Sequence, residues 1–86
     1  MRDQETIEKL KARGRRLEQV RVLARLSVSE AAEITQVAAV TYKDWEQGKH
    51  PMPERRIRFL LSALRLEGLD CSIEWITEGV GYGPDK

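Results

Sequence analysis

Apolar side chains recur along this chain at three- and four-residue steps, and no long run alternates in the two-residue manner of a half-buried strand. The pattern predicts an all-α fold. Residues 3–13 read as a charged helical segment, with Ile7 and Leu10 on one side and Glu5 four residues ahead of Lys9. Gly14 either ends that helix or sits inside a longer one at a cost of about 1 kcal/mol. Leu17, Val20 and Ala24 mark one face of a helix over roughly 15–25. Ser27 and Glu30 form a capping box that opens a short helix carrying Ala31, Ala32 and Ile34 to about Thr35. A break follows at Gln36–Val37. The next helix holds Val40, Thr41, Tyr42 and Trp45 and stops at Gly48. Pro53 reads as the first residue of a fourth helix, striped by Ile57, Leu60, Leu61 and Leu64 and stopped at Gly68. Ser72 caps a short fifth helix with Ile73, Trp75 and Ile76, closed by Gly79.

Composition narrows the function. Eighty-six residues, 41% hydrophobic and 34% charged, make one small domain with one modest core. The single Cys71 excludes an internal disulfide and a cysteine-rich zinc module. His50 has no ligand partner at metal spacing, so neither metal nor other cofactor is expected. Cys71 with His50 is a poor nucleophile–base pair, because no third orienting group is evident. The expectation is no enzyme. The polar N-terminus and the lack of an apolar run near 18 residues predict a soluble cytoplasmic protein with no membrane contact. The net charge of +1 conceals an asymmetry: residues 1–26 carry +4, residues 27–52 carry −2 and residues 53–86 carry −1. A uniformly basic nucleic-acid binder is excluded, whereas one basic face is not.

Two short helices joined by a tight turn inside a five-helix bundle have the helix-turn-helix layout. The stretch SVSEAAEITQVAAVTYKDWEQGK, Ser27 to Lys49, resembles the helix-turn-helix of the lambdoid phage repressor/Cro (Xre-type) family. The matching features are Ala32 in the first helix, Val37 in the turn, inward Tyr42 and Trp45 in the second, and the W-E-x-G-K ending. CSIEWITEGVG, Cys71 to Gly81, resembles the fifth helix of many phage-type repressors. The resemblance spans roughly residues 15–84. It implies a lambda-repressor-like five-helix bundle with a central helix-turn-helix, preceded by an N-terminal charged helical arm. The corresponding boundaries are a charged arm or helix extension over 1–14, a DNA-binding domain over 15–80 and a flexible tail over 81–86.

The resemblance also assigns roles. Arg21 and Glu46 match a family pair that locks the first helix to the recognition helix. Ala38, Ala39, Val40, Lys43 and Asp44 fall on base-facing positions, and Ser27, Gln36, Thr41, Gln47 and Lys49 on positions that meet the DNA backbone. This chain departs from the pattern at its reading positions. Alanine and valine reach only thymine methyls, Asp44 at best accepts from a cytosine amino group, and Lys43 is the one evident polar reader. Gln36 replaces the turn glycine and needs a left-handed backbone, and Ala38 lacks a capping hydroxyl. The basic run Lys9, Lys11, Arg13, Arg15 and Arg16 is either a DNA-reaching arm or a solvated face. Arg55, Arg56 and Arg58 oppose the dipole of the fourth helix and call for a compensating partner.

The function these readings predict is a sequence-specific, phage-type repressor or Cro-like regulator. It would bind double-stranded operator DNA, as a homodimer. The alternatives are an antitoxin-like regulator whose N-terminal arm holds a protein partner, and a protein-interaction module that keeps the fold with weak DNA readout.

Overall fold

The computed structural model describes residues 3–84. Asp3 opens the first helix by accepting a hydrogen bond from the Thr6 N–H at 2.8 Å. This helix, α1 (Gln4–Leu23), runs unbroken through Gly14. Of the two readings of 1–14, an arm or a helix extension, the structure has the extension, and the boundary at residue 14 falls inside a helix. Gly14 is tolerated there because α1 and a later helix meet backbone to backbone at that point. A Cβ on Gly14 would lie 2.7 Å from the Glu46 carbonyl carbon and 2.9 Å from the Trp45 carbonyl oxygen. Gly48 returns the contact, since a Cβ there would come within 2.8 Å of the Lys11 Cα. Leu10 is buried in the same region. The charged segment is thus an integral part of the bundle.

α1 ends in a left-handed residue, Arg25, whose N–H bonds Val22 while the Leu26 N–H reaches back to Arg21. α2 (Val28–Thr35) starts at the complete Ser27–Glu30 capping box. It ends at Gln36, which takes the left-handed conformation with φ 63°. α3 (Ala39–Glu46) begins at Ala38 with no side-chain cap. α4 (Glu54–Leu66) starts one residue later than the sequence predicts, because Pro53 keeps an extended ψ of 144° and serves as the cap. α5 (Ile73–Glu78) is capped by Ser72 Oγ, which accepts from the Trp75 N–H. There is no strand among the described residues.

The core joins Leu17 and Val20 of α1, Ala31 and Ala32 of α2, Tyr42 and Trp45 of α3, the Ile57–Leu64 stripe of α4, and Ile76. Each large apolar side chain removed from water contributes about 1.5–3 kcal/mol. Cys71 is buried with them, and burial, helped by Asp70, pushes its thiol up to about 11. It stays protonated at neutral pH and packs as a small apolar residue.

Two arginines close helix ends contributed by other parts of the chain. Arg16 Nε donates to the Ile76 carbonyl at 2.9 Å, and its NH2 donates to Thr77 at 3.3 Å, at the end of α5. Arg56 donates to the Thr35 carbonyl at 3.3 Å, at the end of α2. Such cations satisfy orphan carbonyls at the negative pole of a helix. Arg13 also lies 4.0 Å from Glu78. Two members of the N-terminal basic run are therefore turned into the bundle.

Residues beyond α5 fold back on it. The Tyr82 carbonyl accepts from the Ser72 N–H at 3.0 Å and from its hydroxyl at 3.3 Å. Gly83 lies against the Trp75 indole, where a Cβ would be 2.8 Å from Nε1, and Pro84 is buried. The flexible tail expected over 81–86 is corrected for 81–84, which form a packed strap. Residues 85 and 86, like 1 and 2, lie outside the described residues.

Candidate nucleic-acid interface

The inner side of α3 fixes the direction of its outer side. Tyr42 and Trp45 point into the core with ring centroids 6.0 Å apart in an edge-to-face contact. Ala32 is buried on α2, and Val37 packs half-buried in the turn. A helix turns by about 100° per residue, so Val40 stands almost opposite the Tyr42–Trp45 side. It is 67% exposed. Ala38, Ala39 and Lys43 are exposed beside it.

An ion pair ties α3 to α1. Arg21 Nε donates to Glu46 Oε2 at 2.7 Å and its NH2 to Oε1 at 3.3 Å, a two-pronged contact. A third donor, NH1, reaches the Leu26 carbonyl at 2.9 Å. The side chains are only 13% and 8% exposed, so this pair belongs to the interior. The hydrogen bond to Glu46 holds the Arg21 pKa above its ordinary value. The same turns carry the Gly14–Glu46 contact, so α1 holds α3 through both backbone and side chain.

The Tyr42 hydroxyl is buried near this pair and has no hydrogen-bond partner. Burial first, and the Glu46 carboxylate second, push the phenol far above its ordinary pKa. Tyr42→Phe removes an unsatisfied polar atom while keeping the ring. Chemical denaturation should show a variant at least as stable as the parent, by up to about 1 kcal/mol. A loss larger than 1 kcal/mol would mean that the hydroxyl is satisfied in solution, for instance by a buried water.

The remaining positions singled out by sequence divide into two groups. Thr41, Gln47 and Gln36 are exposed at the surface of the α2–α3 unit. Ser27 is also exposed, and its Oγ already accepts from the Glu30 N–H at 3.0 Å. Asp44 differs from the other reading positions: it is half-buried and lies 3.8 Å from Lys49 Nζ. The Asp44 carbonyl also accepts from the Lys49 N–H at 3.0 Å. Two positions that the sequence resemblance assigns to DNA, one to bases and one to backbone, are therefore engaged with each other.

Sequence reasoning missed Arg56, which spans from α4 to α2. Of the three arginines in the first turns of α4, the sequence offers Glu54 as a partner but gives no sign of the Phe59 ring that two of them face. Arg58 pairs with Glu54 at 2.6 Å, and Arg55 and Arg56 lie 5.7 and 5.8 Å from the Phe59 ring centre. Spacing alone carried a signal for the first of these, since Glu54 and Arg58 stand four residues apart.

The family model for a helix-turn-helix domain matches residues 14–71. The chain belongs to the helix-turn-helix domain family. That match takes in the second half of α1 and all of α2, α3 and α4, which include the helices joined by the Arg21–Glu46 pair. No curated protein matches the chain. Membership places this helix-turn-helix domain with DNA-binding regulators, and α3 is the second helix of its motif. No helix of the described residues is long and apolar enough to cross a membrane. Among those residues, no group of three or more His, Cys, Asp or Glu side chains is placed to hold a metal ion.

Proposed function

We propose that this helix-turn-helix domain is a repressor- or Cro-like transcriptional regulator that binds operator DNA as a dimer. Its α3 enters the major groove with Ala38, Ala39, Val40 and Lys43 toward base edges. Ser27, Gln36, Thr41, Gln47 and Lys49 meet the backbone. The observation that carries this reading is the outward side of α3, where Ala39, Val40 and Lys43 are exposed on a helix whose inner side is clamped to α1. A dimer would set two such helices about 34 Å apart, one turn of duplex.

Selection from a random duplex library at low salt tests the proposal, followed by titration of the best site against salt. A palindrome with one-turn spacing is expected, and its affinity falls linearly with salt on logarithmic axes. Lys43→Ala should cost about 1–3 kcal/mol at the best site and relax preference at one position. Lys49→Ala should weaken all sequences alike and lower the salt slope by about 1. Salt-independent binding, or no enrichment of any sequence, would refute the operator-binding reading. The apolar Ala38–Ala39–Val40 surface would then favour a protein-interaction module.

A further inference from the structure

We infer that this domain selects its DNA chiefly through the C5-methyl groups of thymine, with Val40 and Ala39 as the specificity-determining residues. The inference rests on the operator-binding reading and names the chemistry by which the site is read.

Three observations converge on it. Val40 is the large apolar side chain set almost opposite the buried side of α3, and it is 67% exposed. Ala38 and Ala39 are exposed just before it, so three consecutive exposed residues at the leading end of the helix are apolar. Asp44, the acid that would otherwise give this face a hydrogen-bonding and charged character, is half-buried and faces Lys49 at 3.8 Å. Lys43 and Thr41 are left as the exposed polar side chains on this side of the helix proper, with Gln47 just past its end.

The major groove offers little for an apolar side chain to touch. Guanine presents acceptors, cytosine an amino donor, adenine a donor and an acceptor, and thymine an acceptor beside a methyl group. Valine pressed against any of the first three strips water from polar atoms and gives nothing in return. Valine against the thymine methyl removes apolar surface on both sides from water. Selection for thymine and rejection of the other bases thus follow from one side chain. Lys43 adds a hydrogen bond and sets the register.

Replacing thymine by deoxyuridine isolates this interaction. Uracil keeps every hydrogen-bonding group of thymine and lacks only the methyl. The experiment takes the selected operator, substitutes deoxyuridine at one thymine of each half-site in turn, and measures Kd by fluorescence anisotropy at fixed salt. One or two positions per half-site should each weaken binding about fourfold, the value of one buried methyl. Val40→Ala should abolish that sensitivity at one of these positions and leave the others as they were. Because Val40 is so exposed, the truncation should leave thermal unfolding unchanged, which separates a reading defect from a folding defect.

The failures are distinguishable. If the protein prefers no duplex sequence, the operator reading itself is lost and this inference with it. If a specific operator exists but tolerates deoxyuridine at every position, the operator reading stands and methyl recognition is overturned. If deoxyuridine weakens binding equally in the parent, Val40→Ala and Ala39→Gly, the methyl contact belongs to other residues and the assignment is overturned.

Discussion

Arg21→Ala should cost the domain about 3–5 kcal/mol, a large part of the roughly 5–15 kcal/mol that holds a small protein folded. The loss has three sources. Glu46 is left 8% exposed without the cation that neutralises it. Two hydrogen bonds to its carboxylate disappear, and the Leu26 carbonyl loses its partner. A buried charge without compensation is the most expensive of these. Urea denaturation of Arg21→Ala, together with the closed cycle of Arg21→Met, Glu46→Leu and the combined Arg21→Met/Glu46→Leu variant, provides the check. The combined variant should be far more stable than the sum of single losses predicts, since two apolar side chains of similar size leave no charge behind. Strict additivity of the singles would sink the buried-pair account. The ordinary surface pair Arg58–Glu54, 66% and 62% exposed, supplies the contrast: removing it should change stability by less than about 1 kcal/mol.

Gly14→Ala should destabilise the protein by about 1–3 kcal/mol, opposite in sign to the usual outcome for a helix interior. In an unencumbered helix this change gains about 1 kcal/mol. Here the new methyl runs into the Glu46 and Trp45 carbonyl groups, and backbone cannot rotate out of the way as a side chain can. The end of α3 has to shift, and the Arg21–Glu46 geometry shifts with it. Differential scanning calorimetry should therefore show a lowered Tm, by several degrees per kcal/mol for a domain of this size. A raised Tm would mean that α1 and α3 do not touch at this point.

What the sequence made legible follows the range of each signal. The Ser27–Glu30 box, the stop at Gly68 and the Ser72 cap are completed within a few residues, and the spacing alone foretold them. Gly14 was ambiguous because its reason lies in residues 45 and 46, more than thirty positions away. Arg16 offered nothing local to distinguish it from a solvated cation, and for Arg56 the helix dipole called for a partner without saying which, because the carbonyls they close belong to other helices. The outward side of α3 was legible from the inward Tyr42 and Trp45, which leave one direction free. The orientation of Asp44 was not, since it depends on the path the chain takes after Gly48 to bring Lys49 back beside it. Glycine and proline near the end suggested a loose tail. Gly83 is instead small because an indole ring lies on it.

The strap has a bearing on where this domain can be cut. The matched span of 14–71 ends before α5, and a boundary drawn at the last helical residue ends at Glu78. Neither is the smallest folding unit. Stopping at 71 would uncover the fully buried Ile76 socket and leave the Arg16 guanidinium without its two carbonyl acceptors. Stopping at 78 would strip the Trp75 indole of Gly83 and the Ser72 amide of the Tyr82 carbonyl. Truncation or fusion should respect Pro84 on one side and Asp3 on the other, because the packed bundle extends past the recognisable motif on both sides.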